Sequence, residues 1–258
     1  MSDFTGRTAL VVGVANKRSL SWAIAKELQA AGAQLVLTYQ SDRLRENVEE
    51  LAATLSGSAQ LLPCDVSRDD DLGQLFASVG REHGGLDVLV HGAAFAPREA
   101  LAAPFVETTR EAFAQALDVS AYSLVALARG AAPLMAARGG GTMLTLTYLG
   151  SERVFPNYNV MGVAKAALEA CVRYLASDLG PQNIRVNAIS AGPIKTLAAA
   201  GIAGFSSILD VYRTRSPLRR TIEASDVAQT ALYLLGPASR AMTGEVLHVD
   251  CGYRVMGM

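Results

Sequence analysis

Short, almost unbroken apolar runs alternate along this chain with longer segments whose apolar residues recur every three or four positions. The short runs are rich in Val, Leu, Ile and Thr and read as strands: Thr8–Val12, Gln34–Tyr39, Gln60–Pro63, Val88–His91, Thr142–Thr147, Arg185–Ile189 and Val246–Val249. The periodic segments read as helices: Leu20–Ala31 stopped by Gly32, Asp42–Leu55, Asp70–His83 closed by Gly84 and Gly85, Asn157–Leu179 ended by Gly180-Pro181, and Ser225–Leu235. A further long helix or helix pair is predicted from about Thr109 to Arg138. Strands that are apolar at successive positions are buried on both faces, and their alternation with helices predicts a parallel sheet covered on both sides. The expected fold is therefore α/β, a single-domain Rossmann-type doubly wound sheet over residues 1–258. The one long irregular stretch, 192–218, is rich in Ala and Gly and is expected to form a helical substrate-binding lid.

Composition narrows the function classes. Half of the 258 residues are hydrophobic, 18% are charged, and 23 basic against 24 acidic residues give a formal charge of -1. Nothing in that balance asks for nucleic acid or an anionic membrane. Cys64, Cys171 and Cys251 are widely spaced, as are His83, His91 and His248, so no metal site is expected and a reducing, cytoplasmic setting is. The start, Met1-Ser2-Asp3, lacks the pattern of a signal peptide. The longest apolar stretch, Ala121 to Ala137, is interrupted by Arg129 and Pro133, so no membrane span is expected.

In such a fold, ligands bind at the carboxyl ends of the strands. The first strand runs into Gly13-Val14-Ala15-Asn16-Lys17-Arg18-Ser19-Leu20, where Gly13 permits close approach to a phosphate and Ser19 is positioned to cap the next helix. The second ends at Gln40, a neutral hydrogen-bonding partner for a ribose diol; Arg43 and Arg45 follow, and either meet a 2′-phosphate or simply face solvent. That leans toward NADH and leaves NADPH open. Asp65 and Val66, at the third strand end, suit an adenine, and His91–Pro97 offers small residues beside a nicotinamide ribose. Tyr158 and Lys165 stand seven residues apart at a helix start, which brings them within about 20° on one helix face and roughly 10 Å along the axis. A phenol donates to a developing oxyanion, and an ammonium beside it holds a cofactor hydroxyl. Tyr148 is a second phenol ten residues upstream.

Together these segments resemble the short-chain dehydrogenase/reductase superfamily, and within it the type I enoyl-acyl-carrier-protein reductases, which complete bacterial fatty-acid elongation. The likeness runs from about Gly6 to Gly252. Its most specific parts are Tyr148-Leu149-Gly150 with Glu152-Arg153, Pro156-Asn157-Tyr158-Asn159-Val160-Met161-Gly162, the run Arg185–Ile194 with Thr196-Leu197-Ala198, and Gly244-Glu245-Val246 with His248-Val249-Asp250. The resemblance implies Tyr148, Tyr158 and Lys165 as the catalytic set and NADH as cofactor. It implies Gly13, Ser19, Leu20, Gln40, Asp65, Val66, Ala93 and Lys165 along the cofactor, Ile194, Lys195, Thr196, Leu197 and Ala198 at its nicotinamide end, and Ala96, Tyr148 and Tyr158 against the acyl substrate. It further implies an enoyl thioester carried on acyl-carrier protein and a homotetramer; the basic residues Lys195, Arg213, Arg215, Arg219 and Arg220 would steer that acidic carrier. Gly92, Ala94 and Cys251 depart from the residues common in that family (Ser, Gly and Gly), and the methyl of Ala94 is expected to narrow the pocket over the nicotinamide. Two other functions stay open on sequence alone: a carbonyl or 3-hydroxyacyl reductase of the same superfamily, and a non-catalytic NAD-binding module.

Overall fold

The computed structural model describes residues 3–194 and 205–257. Seven strands, β1 (Thr8–Val12), β2 (Gln34–Tyr39), β3 (Ala59–Pro63), β4 (Val88–His91), β5 (Gly141–Thr147), β6 (Ile184–Ala191) and β7 (Val246–Val249), form one sheet in the order β3-β2-β1-β4-β5-β6-β7. Every pairing is parallel, with Val11 opposite both Leu37 and Val90. Side chains alternate across a strand, and both alternations are apolar. Ala9, Val11, Leu35, Leu37, Val88 and Val90 enter one core, while Leu10, Val12, Val36, Leu89, Met143 and Val186 enter the other. This is the doubly wound α/β fold expected. Pro63 ends β3, an edge strand, where its missing N–H costs no ladder bond.

The first core is closed by α1 (Leu20–Ala30) and α9 (Ala224–Leu235), through Ile24, Leu28, Val227, Ala231 and Leu235; α2 (Asp42–Ala52) adds Val48. The second is closed by α3 (Asp69–His83), α6 (Ser123–Ala136) and α7 (Asn159–Leu179), through Leu75, Val79, Leu124, Leu127, Leu168 and Val172. Three aspartates at the start of α3 and Arg81 and His83 at its end complement the helix dipole, and Gly84 terminates it at φ 66. Two short helices, α4 (Arg98–Ala102) and α5 (Arg110–Leu117), lie beyond β4, and α8 (Phe205–Arg215) precedes α9.

Two sequence expectations need amendment. The helix predicted to Leu55 stops at Ala52. The segment predicted as a helix or helix pair is continuous from Arg110 to Ala136, but Asp118–Tyr122 is a π-helical turn. At 27 residues it is long and apolar enough to cross a membrane; 56% of its apolar window is buried within the fold, as in the core helix of a globular domain.

Candidate active site

The order of strands reverses between β1 and β4, and the crevice there defines a ligand site in folds of this class. Two glycines form its floor. Gly13 adopts φ 92, and a Cβ on it would lie 2.5 Å from the Gly92 carbonyl carbon; a Cβ on Gly92 would lie 1.9 Å from Ser21 Oγ. Gly92 N–H also donates to Val12 O at 3.0 Å. The backbones thus meet where a dinucleotide needs side chains absent. A cleft of about 670 Å³ opens above, lined by Gly13, Gln40, Asp65, Val66 and Ala93, all predicted from sequence, and by Ala94. Cys64, beside Asp65 and Val66 at the expected adenine end, lines it too, as do Thr38, Leu44 and Asp118, of which Leu44 and Asp118 carry no sequence signal that marks them.

Gln40 and Asp65 meet across the ends of β2 and β3, with Gln40 Nε2 donating to Asp65 Oδ2 at 3.3 Å. Ser67 donates to Asp65 through both its N–H (3.0 Å) and its hydroxyl (2.7 Å). Burial pushes the Asp65 pKa up, but these bonds and Arg68 outweigh it and hold the group below its ordinary value, ionised as an acceptor. Ser19 behaves differently from expectation. It stands at the N-cap of α1, but its side chain makes no capping bond; Oγ accepts from Ala15 N and Asn16 N, each at 3.1 Å. The hydroxyl therefore folds the phosphate-side turn, and its own proton is left to donate. Leu20 is the first residue of α1 and packs against the first core. Of the two arginines beyond Gln40, Arg45 pairs with Glu49 at 2.7 Å on the exposed face of α2. Leu44, between them, faces the cleft.

The predicted catalytic groups converge on the end of β5. Tyr158 precedes α7 and does not lie on it: φ is -106 and ψ -30, between Asn157 at φ 61 and Asn159 at φ 35. Asparagine is the residue besides glycine that most readily takes positive φ. Asn159 also donates to the carbonyls of Leu101 (3.1 Å) and Ala103 (2.6 Å), which ties α4 to this turn. The shared-face argument from an ideal helix therefore gives way to a built turn. The Tyr158 ring lies over Gly150, where a Cβ would sit 2.4 Å from Cδ1, and meets the Tyr148 ring edge-on at 5.1 Å between centroids. Ala96, Tyr148 and Phe155 pack with Tyr158 and Met161 in one cluster, so the three residues expected against the substrate are together. Lys165 is buried, and its Nζ donates to Leu146 O at 2.8 Å at the same strand end. One turn further, Glu169 accepts from Thr147 Oγ1 at 2.6 Å.

Burial pushes the Tyr158 and Tyr148 phenols far above their ordinary values, so both are donors at neutral pH. Burial pushes the Lys165 ammonium down to about 8, with Glu169 pulling the other way. Ile194 lies partly buried after β6 against the first core. Lys195, Thr196, Leu197 and Ala198, and with them much of the expected lid, fall outside the described residues.

Sequence reasoning missed what fixes the 92–97 loop. Ser120, inside the π-helical turn, accepts from Phe95 N (2.9 Å) and donates to Phe95 O (3.0 Å). Fully buried His91 bridges Thr145 Oγ1 (2.7 Å) and Ser123 Oγ (2.8 Å). Burial above all, then the Lys165 charge, lowers its pKa to about 3, so it is a neutral strut. The signal was available: two serines three apart in an otherwise apolar helical run are polar groups that need buried partners.

The glycine under the phenol gives a direct test. In Gly150→Ala the new methyl must displace the Tyr158 ring, and a displacement near 1 Å is expected to cost about 10²-fold in kcat while NADH affinity holds. Stopped-flow turnover alongside an NADH titration would check this; a native kcat would mean that the ring's seat is unimportant.

A parallel sheet with a dinucleotide crevice at its switch point, and a phenol and a buried lysine at the adjoining strand end, defines a pyridine-nucleotide oxidoreductase of the short-chain type. A family model for enoyl-(acyl carrier protein) reductase matches residues 13–254. The chain belongs to that family. It is 52% identical over 258 residues to the NADH-dependent enoyl-acyl-carrier-protein reductase of Bacillus cereus, covering all of both chains. It is 50% identical to that of Bacillus subtilis, over 97% of this chain and 96% of the relative. Among solved structures, the Bacillus cereus reductase with NADP+ and an indole naphthyridinone superposes with a TM-score of 0.97 at 51% identity over all of both chains. The Anaplasma phagocytophilum enzyme in complex with NAD gives 0.95 at 47%, over 100% of this chain and 98% of that one.

Proposed function

We infer that this chain is an NADH-dependent enoyl-acyl-carrier-protein reductase, which saturates the trans-2 double bond of enoyl thioesters in fatty-acid elongation. The observation that carries the reading is the convergence of Tyr158, Tyr148 and Lys165 on the end of β5, beside a crevice whose paired glycines admit a dinucleotide.

Gly13, the Ser19 turn, Gln40, Asp65, Val66 and Ala93 would hold the dinucleotide, with Leu20 supporting the turn from below. Residues 194–198 would meet its nicotinamide end. Bound there, NADH supplies a hydride to the β-carbon of the substrate. Negative charge would then move to the thioester oxygen, and the enolate so formed would take a proton from solvent at its α-carbon to complete the saturated thioester. Tyr158, held protonated by its burial, donates to that oxygen; one such preorganised donor contributes about 3 kcal/mol. Tyr148 closes the apolar side with Ala96 and Phe155. Lys165 fixes the ribose and places a positive charge beside it. Gln40, neutral and held by Asp65 at 3.3 Å at the end of β2, suits a free ribose diol, which supports NADH over NADPH.

We further propose one catalytic domain over the whole chain, with 192–218 on its substrate side, a homotetrameric assembly and a cytoplasmic location. The three free thiols suit a reducing compartment. Arg213 and Arg220 pair with Asp210 and Asp226, each at 3.0 Å and exposed. Such pairs are weak, so both arginines remain available, with Arg215 and Arg219, to steer an acidic carrier.

The decisive assay follows nucleotide absorbance with crotonyl and acetoacetyl thioesters side by side. NADH consumption with the crotonyl substrate alone is expected. Consumption with only the acetoacetyl substrate would make the protein a carbonyl reductase, and tight NADH binding without turnover of either would make it a binding module.

A further inference from the structure

The floor of the crevice holds one hydroxyl that has no part in the cofactor site so far. Ser21 is the second residue of α1 and is 2% exposed. Its Oγ makes no hydrogen bond among the described residues, and although the residue is buried the oxygen keeps a small accessible face. The large majority of buried side-chain polar atoms have a partner. Here the acceptor is left to come from outside the chain.

The place of that oxygen is fixed by what it excludes. A Cβ built on Gly92 would lie 1.9 Å from Ser21 Oγ, 3.0 Å from Val12 O and 3.3 Å from Ser21 Cβ. The hydroxyl therefore fills the space over the Gly92 backbone that any side chain at 92 would take, and Gly92 lines the cleft. The serine common at position 92 in the family has no room beside Ser21. One of the two positions can carry a hydroxyl, and this chain carries it on the helix.

Further donors stand beside it. The N–H groups of Leu20 and Ser21, the first two of α1, have no acceptor among the described residues, as is general at a helix start. A helix N-terminus carries partial positive charge and receives phosphate in folds of this class. The Ser19 hydroxyl, whose oxygen already accepts from two amides, belongs to the same turn. Each of these groups has a proton to give, and together they call for an anion. We propose that Ser21 is a cofactor-binding residue: its hydroxyl, seated where a side chain at 92 would be, donates to a pyrophosphate oxygen of the dinucleotide. This rests on the NADH reading above and adds to it a residue that the family resemblance does not mark.

The test is isothermal titration with NADH and with ADP-ribose, which keeps the pyrophosphate and lacks the nicotinamide. Ser21→Ala is expected to weaken both about tenfold, the low end for a hydrogen bond to a charged group. The thermal midpoint of the ligand-free protein should not fall, because no bond within the chain is lost. Gly92→Ser alone is expected to lower that midpoint, since its Cβ must displace Ser21 Oγ. In the Ser21→Ala protein the same change meets only the 3.0 and 3.3 Å contacts, which small shifts relieve. There it is expected to return both affinities to within about threefold of native, a strongly non-additive pair. Should the double variant not fold, Ser21→Cys, which keeps the shape but is a weak donor, must show the loss for both ligands. Native affinities in Ser21→Ala, a loss for NADH alone, a loss accompanied by a lower thermal midpoint, or a folded double variant that stays weak would each overturn the proposal and leave the reductase reading standing. A native protein that binds neither ligand would overturn both.

Discussion

Tyr158→Phe is expected to lower kcat by about 10²- to 10³-fold, equivalent to roughly 2.7–4 kcal/mol of lost transition-state stabilisation, with NADH affinity unchanged. The change removes one oxygen. The ring keeps its seat over Gly150 and its edge contact with Tyr148, so packing is conserved. The phenol is useful because it remains protonated: burial, then the neighbouring Tyr148 and Glu169, all raise its pKa. A donor of that kind gains little from the neutral thioester and most from the oxygen once charge arrives, which places its effect in kcat and not in substrate affinity. Single-turnover rates with pre-bound NADH would measure this. A loss confined to KM, or a rate within threefold of native, would remove Tyr158 from the chemistry.

The order of strands and helices was legible because strands buried on both faces betray themselves as continuous apolar runs, and seven such runs match the seven strands among the described residues. Residues attached to strand ends were equally legible, since topology dictates where those ends lie; Gly13, Gln40, Asp65 and Ala93 line the cleft for that reason. What escaped was set by contacts between distant segments. The π-helical turn exists where Ser120 must reach Phe95 and Ser123 must reach His91, and no periodicity encodes such a demand. The Ser19 side chain turned back to the 15–16 amides because two part-buried N–H groups compete there with the helix end for one hydroxyl. The spacing of Tyr158 and Lys165 was read correctly, but on an ideal helix; the actual turn relies on two asparagines at positive φ, which an ideal geometry does not contain.

Lys165 has the second large expected effect. Lys165→Met is expected to weaken NADH binding by about 10- to 100-fold, since a hydrogen bond to a charged group is worth roughly 1.5–3 kcal/mol. The pH dependence makes the role specific. Burial brings the Lys165 pKa to about 8, against an ordinary 10.5. Below about 8 the ammonium is present in the free protein and NADH affinity should be flat; above it, affinity should fall, by at most about tenfold per pH unit. In the methionine variant the slope should vanish. Stability provides a check of opposite sign. A folded-state pKa below the unfolded one means that the unfolded chain binds more protons between about 8 and 10.5, so this group's contribution to stability rises with pH across that window. The native protein, compared with Lys165→Met, should therefore gain in thermal midpoint from pH 8 to 10 while its NADH affinity declines. Two opposed trends from one residue are hard to produce by general alkaline damage, which would lower both. Isothermal titration of NADH and thermal melts at pH 7, 8, 9 and 10 would measure the pair, and a native affinity that stays level across the series would show that the ammonium does not hold the cofactor.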